Sequence, residues 1–290
     1  MYTCVFCGTQ SEGSGRSCPG CGAPVDVTVK ANNSGWVQLP PIRDMARIQI
    51  GRSAVQIEGA LVPAADFDLG EGEGVYFGHH ELLWKDPPVG LTMMSLRGGW
   101  KRMRAGMDVH MLTAQGPGHV SISRDHPGEM LAIPIHPARS IDVREHLFMA
   151  ATTTVTYDWL DSHVWYQTRE GSETETHYPM GRYLDRFSAP QNPGLLLIHT
   201  HGNAFVRQLG PQESILVKPT AIVYKDTTVR LQLHLEHPRG TFRSWRTWGD
   251  RYLWTRVWGP GRLAVQSAFE PVEDEGHRIV GMSNATMHRW

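Results

Sequence analysis

Apolar and polar residues alternate along most of the chain. Alternation with a period of two is clear at Val75/Phe77 and again at Ile141/Val143, and this period places successive apolar side chains on one face of a strand. Almost nowhere does the helical spacing of about 3.6 residues persist for three turns. The chain has 30 glycines and 19 prolines, and many stand at the ends of the alternating runs, where turns need them. The pattern predicts an all-β body with sheets packed face to face.

One stretch of this pattern occurs three times. The sequences EGVYFGHHELLWKDPPV, RSIDVREHLFMAATTTV and ESILVKPTAIVYKDTTV, at residues 73 to 89, 139 to 155 and 213 to 229, align without a gap. Their apolar columns coincide, and the first and third share a Lys-Asp pair after an aromatic residue. The offsets of 66 and 74 residues are too long for a solenoid. They favour a pseudo-threefold body of three fused β-modules that begin near residues 73, 139 and 213.

The second half of each module is predicted from a glycine turn that leads into a short strand. We place these turns at Gly116-Pro117-Gly118, at Gly202-Asn203 and at Gly259-Pro260-Gly261. Strand-like runs precede all three turns, as in DVHMLT, GLLLIH and RYLWTRV.

All four cysteines lie near the start of the chain, at Cys4, Cys7, Cys18 and Cys21. Each pair has the form C-x-x-C followed by glycine, a spacing that lets two thiolates turn onto one ion. Two disulfides are the alternative, which a reducing compartment and the C-x-x-C geometry oppose. The spacing predicts a closed tetrahedral Zn²⁺ site with a structural role, in a module too small to fold without its metal. Such a module resembles the short zinc ribbons found at the ends of bacterial proteins, and that resemblance implies docking or tethering.

These patterns divide the chain into four segments. Residues 1–24 form the zinc ribbon, and residues 25–43 form a linker rich in small residues and proline. The β-sandwich body with its three repeats spans residues 44–270, and residues 271–290 form a C-terminal tail.

Charge and hydropathy limit the class of partner and the compartment. The formal net charge is −1, so no overall field attracts nucleic acid or an anionic membrane. The start of the chain has neither the pattern of a signal peptide nor that of a transit peptide. No apolar run approaches the roughly 18 residues needed to span a bilayer. We therefore expect a cytoplasmic protein.

Several motifs, in the same order, resemble a known family. They are GPGHVSISRDHPGEMLAIPIHPARSIDVREHLFMAATTTVTYDW, HGNAFVRQLGPQESILV and GPGRLAVQS, and over residues 44 to 270 they look like the altered inheritance of mitochondria protein 24 family. The resemblance implies a repeated β-sandwich similar to the fold of the tryptophan RNA-binding attenuation protein. It implies no catalytic residues, and for the mitochondrial branch it implies a role in inner-membrane architecture. This chain differs from that branch in lacking a transit peptide and in carrying the ribbon.

Histidines give the best alternative to a purely structural role. His199 and His201 are two residues apart on a predicted strand, so both rings would face one ion, as in a metal-dependent β-barrel enzyme. A third ligand at close spacing is missing, because Glu213, His234 and His237 lie on later segments. The His79-His80-Glu81 run differs between the repeats and is expected to be a solvated loop.

Two segments interleave tryptophan with arginine and offer a surface for a partner. LRGGWKRMRAG carries basic residues around Trp100, and SWRTWGDRYLWTRVW carries four tryptophans. Such segments bind bases or a membrane interface, or they form a strand with its Trp face packed inward.

No nucleophile elbow or phosphate-binding loop is evident in the sequence. GEGEG at residues 70 to 74 lacks the Gly-Lys-Ser/Thr of a phosphate loop and is predicted to be a turn that enters a strand. The sequence therefore favours a non-enzymatic scaffold or adaptor that binds a protein partner, with self-association and a membrane surface as further possibilities and nucleic acid disfavoured.

Overall fold

The computed structural model describes residues 2–12, 17–25, 34–38, 46–96, 110–236, 252–272, 278–283 and 286–287. Within these residues the chain forms β-strands and two 3₁₀ helices, at His79–Glu81 and Pro219–Ala221, without an α-helix. The strands are β1 (Tyr2–Thr3), β2 (Gln10–Ser11), β3 (Val37–Gln38), β4 (Ala46–Ile50), β5 (Ser53–Glu58), β6 (Ala64–Leu69), β7 (Gly74–Phe77), β8 (Leu82–Lys85), β9 (Gly90–Ser95), β10 (His110–Gln115), β11 (Gly118–Ser123), β12 (Glu129–Ile135), β13 (Ser140–Arg144), β14 (Phe148–Thr152), β15 (Thr156–Asp161), β16 (Tyr166–Glu170), β17 (Glu173–His177), β18 (Tyr183–Ser188), β19 (Gly194–Thr200), β20 (Ala204–Leu209), β21 (Ser214–Val217), β22 (Ile222–Asp226), β23 (Arg230–Glu236), β24 (Tyr252–Trp258), β25 (Gly261–Gln266), β26 (Arg278–Met282) and β27 (Thr286–Met287). The all-β class predicted from the alternating pattern is confirmed.

Each copy of the repeat supplies six strands in the same order. Copy 1 consists of β6 to β11, copy 2 of β12 to β15 with β18 and β19, and copy 3 of β20 to β25. The first, sixth and third strands of a copy lie side by side in one sheet, and the second, fifth and fourth lie side by side in another. Copy 2 also holds an inserted hairpin, β16–β17.

Neighbouring copies join where the second strand of one copy pairs with the third strand of the next. We call the β7–β14 pair the apolar seam and the β13–β22 pair the charged seam. In the apolar seam Tyr76 lies opposite Ala151. In the charged seam Asp142 lies opposite Lys225. Both pairs are antiparallel, and the repeat alignment maps every residue pair of one seam onto a residue pair of the other.

The aspartate of the Lys-Asp pair shared by copies 1 and 3 binds backbone. Asp86 Oδ2 accepts the N–H of His119 at 2.9 Å, and Asp226 Oδ2 accepts the N–H of Arg262 at 2.9 Å. Each aspartate thus fixes the strand that follows the Gly-Pro-Gly turn of its own copy.

The turn predicted for copy 2 is corrected by the strand pairing. β19 pairs with β14 in the same register, and with the same irregularity, as β11 with β8 and β25 with β22. The turn before β19 is Pro193-Gly194, whereas Gly202-Asn203 lies after that strand. The prediction was wrong because the β16–β17 insertion displaces the true turn and Asn192 stands where copies 1 and 3 have glycine.

The described chain divides into two compact units. The first comprises Met1–Ser140, Leu147–Asp158 and Phe187–Ala204. It holds the ribbon, the five-stranded sheet β4-β5-β6-β11-β8 and the six-stranded sheet β12-β19-β14-β7-β10-β9. Alternate residues of both sheets meet in one core, which includes Val55, Phe67, Phe77, Met149 and Leu197. Burial of this apolar surface drives the packing of the two sheets.

The second unit comprises Ile141–His146, Trp159–Arg186 and Phe205–Trp290. It contains the charged seam, the sheet β21-β24-β23-β27 and the sheet β17-β16-β26. The segment predicted to be a C-terminal tail supplies β26 and β27, which pair with β16 and β23.

Most of the predicted linker and most of the two Trp/Arg segments lie outside the described residues. Among the residues of the Trp/Arg segments that lie outside the described part are Trp100, Arg102, Trp245 and Trp248. The described part of the second segment is strand β24.

Candidate metal centre

Two turns of the same shape bring the four cysteines together. In the first turn the Gly8 N–H donates to the Cys4 carbonyl at 2.8 Å, and in the second the Gly22 N–H donates to the Cys18 carbonyl at 2.8 Å. Gly8 and Gly22 have φ of 77° and 73°, a left-handed conformation that glycine adopts without strain. The glycine after each C-x-x-C is therefore required by the backbone.

The sulfur atoms have the separations of a tetrahedral thiolate site. Cys4 Sγ lies 3.7 Å from Cys21 Sγ, and Cys7 Sγ lies 3.6 Å from Cys18 Sγ. All four lie within 4.8 Å of one another. A tetrahedral ion with Zn–S bonds of about 2.3 Å requires S···S distances of about 3.8 Å. A disulfide needs about 2.05 Å, so the four thiols are free.

The electrostatics of the cluster favour a cation. Contacts from the Cys18 and Cys21 thiols lower the pKa of Cys7 far below its usual value. Contact with Cys18 and with Cys7 raises the pKa of Cys21. A second thiolate in this cluster is therefore opposed by the first, and a bound cation would offset that repulsion.

The second turn packs closely against the first turn and against the body. A Cβ on Gly20 would lie 2.2 Å from Thr9 Oγ1, so only glycine allows this approach. The Pro19 carbonyl accepts the backbone N–H of Gln49 in strand β4 at 3.1 Å. The second cysteine turn is thus hydrogen-bonded to an edge strand of the five-stranded sheet.

The predicted pair His199 and His201 does not form a ligand set. His199 is the penultimate residue of β19 and is fully buried, whereas His201 lies beyond the strand and is exposed. The two ring centroids are 6.4 Å apart. Among the described residues, only the four cysteines bring three or more possible ligand atoms close enough for one ion.

A third histidine, which sequence reasoning missed, stands beside the pair. The His126 ring centroid lies 4.7 Å from that of His199 and 4.8 Å from that of His201. Burial, then the nearby His126, lowers the pKa of His199 to about 4, so the ring is neutral at physiological pH. No pattern in the sequence points to His126, because it lies more than seventy residues from its two neighbours and outside any strand pattern.

The other sequence candidates have structural partners. Glu81, expected in a solvated loop, is buried and forms an ion pair with Arg124 at 2.7 Å. This expectation was wrong because Arg124, which directly follows β11, is distant in sequence. Glu213 Oε2 accepts the N–H of Gly210 at 2.8 Å in the turn before β21. Residues 70 to 74 form the predicted turn into β7, closed by a 3.1 Å bond from the Glu73 N–H to the Gly70 carbonyl.

Strand β24 shows how the tryptophans of the second Trp/Arg segment are used. Leu253, Thr255 and Val257 are its buried residues, whereas the Trp254, Arg256 and Trp258 side chains are only partly buried. An inward-packed Trp face is therefore wrong for this strand. Lys218 Nζ lies 5.2 Å from the Trp254 ring centroid, and the Arg256 guanidinium lies 5.6 Å from the Trp258 ring centroid, so each ring has a cation within the range of a cation–π contact.

In the described part of the chain, no helix has the length and apolar character needed to cross a bilayer.

Comparison with known proteins identifies the body. The family profile described as "Mitochondrial biogenesis AIM24" matches residues 55–268. A crystal structure of a Streptococcus pyogenes protein superposes with a TM-score of 0.53 at 15% identity, covering 75% of this chain and 94% of that one. At that identity the likeness concerns the fold alone. Among curated proteins, none matches the chain in sequence.

Proposed function

Because the chain belongs to the AIM24 family, we propose that it is a non-enzymatic scaffold or assembly factor whose β-sandwich body presents binding surfaces for a protein partner. The ribbon is its docking module, held by structural Zn²⁺ on Cys4, Cys7, Cys18 and Cys21. The observation that carries the proposal is the closed sulfur cluster on the edge of an all-β body. Four protein ligands leave an ion no open position for substrate or water.

Zinc is favoured over other cations by the donor set. Thiolate sulfurs are soft ligands that select zinc, copper(I) or iron over magnesium and calcium. The S···S distances of 3.6 and 3.7 Å suit a single ion of zinc's size. Free thiols at this spacing persist in a reducing compartment, which supports the cytoplasm as the place of action.

The ribbon has one feature that suits contact with a partner. Val5, between the two cysteines of the first turn, is 69% exposed. A branched apolar side chain at the tip of a metal-stabilised turn offers a rigid, low-entropy contact. We assign Val5 to the docking surface of the ribbon.

The test separates metal binding from docking. Wild-type protein, Cys18→Ser/Cys21→Ser and Val5→Glu are used as bait in native lysate, with Leu61→Glu as a control at an exposed apolar residue outside the ribbon. Metal content is measured in all four proteins. We expect one zinc per chain in all but the cysteine variant, and a shared partner that is lost from both ribbon variants but retained by the control. Retention of every partner by the cysteine variant would contradict the docking role.

A further inference from the structure

Strand pairing between copies follows a rule that leaves two strands over. In both seams the second strand of one copy pairs with the third strand of the next. Under this rule two strands take part in neither seam: β8, the third strand of copy 1, and β21, the second strand of copy 3. Within the part of the chain that the structure describes, β8 pairs only with β11 and β21 only with β24, so both are sheet edges. An edge presents backbone N–H and C=O groups that are ready to pair.

We propose that β8 of one molecule pairs with β21 of a second copy of the chain, antiparallel and in the register of the two seams. The repeat alignment then fixes the partners. Trp84 lies opposite Val217, as Ala150 lies opposite Phe77 and Tyr224 opposite Val143. Lys85 lies opposite Leu216, and Asp86 opposite Ile215.

Burial of equivalent residues in the three copies supports this interface. Leu83 is 60% exposed, whereas its equivalents Met149 and Val223 are completely buried. Trp84 is 45% exposed, whereas Ala150 and Tyr224 are at most 5% exposed. The third strand of a copy is therefore covered wherever a preceding copy is present, and it is open only in copy 1.

The second strand of a copy shows the same contrast in burial, here between copy 3 and the other two copies. Leu216 is 37% exposed, but its equivalents Tyr76 and Asp142 are at most 2% exposed. Exposed large apolar side chains thus lie on both leftover strands, at positions that the seams bury. Two apolar edges that are complementary in register are expected to associate.

The strand behind each edge also matches the internal seams. β11 pairs with β8 with the same irregularity that β19 shows with β14 and β25 with β22. On the other side, β24 lies beside β21 as β10 lies beside β7. The edges therefore have the backbone environment of strands that already form this pair.

A contact between two different edges of the same chain is heterologous. Such a contact repeats from molecule to molecule until it closes into a ring, or it continues as a filament if the rotation does not close. The occupant of each edge is a second copy of this chain, whichever protein the scaffold binds, so the proposal does not depend on the docking role of the ribbon.

The first test uses charge at one position. The metal-loaded, full-length protein is examined by light scattering behind size exclusion, and we expect a mass that is a multiple of 32.5 kDa. Leu216→Lys places an ammonium opposite Lys85 and should shift the protein to 32.5 kDa. Leu216→Glu faces the same lysine with the opposite charge and should remain assembled. Leu216→Lys combined with Lys85→Glu should reassemble, and Leu61→Lys is the exposed control.

The second test reports the register in which β8 and β21 pair, because a disulfide traps the contact even when the two chains bind weakly. Lys85→Cys and Leu216→Cys proteins, each with the ribbon metal-loaded, are mixed under mild oxidation, and we expect a disulfide between two chains. Leu82→Cys replaces Lys85→Cys as the out-of-register control. A wild-type monomer at all concentrations overturns the proposal. So does assembly that Leu216→Lys leaves intact, or a mixture of the Lys85→Cys and Leu216→Cys proteins that forms no more disulfide between chains than the Leu82→Cys control.

Discussion

The apolar seam and the charged seam have one backbone and two chemistries. Tyr76 and Ala151 face each other in the first, whereas Asp142 and Lys225 face each other in the second. Asp142 is buried and also receives two hydrogen bonds from Arg186, at 2.7 and 3.1 Å. The strand pairing thus sets the register of both seams. At one aligned position the side chains can form either an apolar contact or an ion cluster, provided that every buried charge in the cluster has its partners.

Removing the carboxylate should break the charged seam alone. Asp142→Ala leaves Lys225 and Arg186 without their shared anion, and removing one partner of a buried ion pair costs about 3–5 kcal/mol. We expect that loss in the free energy of urea unfolding, with faster hydrogen exchange in β22 and unchanged exchange in β14. Glu175→Ala, at an exposed strand position, is the control. Equal acceleration in β22 and β14 would contradict the independence of the seams.

As pH falls, the sheet that carries the apolar seam should lose stability before the sheet that carries the charged seam. Beside the apolar seam, His199 in β19 is held neutral by burial and by His126, Arg124 and His201 around it, with Asp125 opposing them, so its pKa falls from 6.5 to about 4. A lowered histidine pKa means that stability is complete above pH 6.5 and is lost as pH falls toward 4. At about 1.4 kcal/mol per pKa unit, the loss is on the order of 3 kcal/mol.

The charged seam should respond at lower pH. Burial alone would raise the pKa of Asp142, but hydrogen bonds from Arg186 and the charge of Lys225 outweigh it and hold the pKa below 3.8. Its stability is therefore present above pH 3.8 and is lost as pH falls through the lower, folded-state pKa. Hydrogen exchange from pH 7 to 3, corrected for intrinsic rates, should show β19 opening before β22. His199→Gln should remove the early step, and the opposite order of opening would refute this assignment.

Lys225→Ala tests whether the cation is needed at a position where copy 2 has Ala151. Arg186 still neutralises Asp142, so the loss should be smaller than for Asp142→Ala, about 1–3 kcal/mol for the lost charged hydrogen bond. Urea unfolding measures this loss, and Arg230→Ala, at an exposed cation in β23, is the control. A loss as large as that of Asp142→Ala would show that Arg186 does not compensate.

The smallest change should come from converting one seam into the other. Asp142→Leu with Lys225→Met replaces the ion pair by apolar groups, an exchange that is often neutral or stabilising. Arg186 is 39% exposed at its side chain and can turn into solvent. We expect an unfolding free energy within about 1 kcal/mol of wild type. A loss equal to that of Asp142→Ala would show that the cluster specifies the fold of this unit.

The fold was predictable from sequence to the extent that it depends on local pattern. Alternation predicted the strands, the ungapped repeat predicted the copies, and the cysteine spacing predicted the sulfur cluster. Features that depend on a distant partner were not predictable. Glu81 is buried because Arg124 reaches it, and His126 meets His199 only after β12 and β19 have paired. The face of β24 was also missed, since alternation shows that two faces differ but not which one lies inside.

The identical register of the two seams has an evolutionary consequence. A module whose second strand already complements its own third strand can be duplicated in tandem without the invention of a new interface, because every added copy meets a surface that the previous copy already presents. Selection can then act on each junction separately, and the copies can differ at one position, as Tyr76 and Asp142 do, without a change in the architecture.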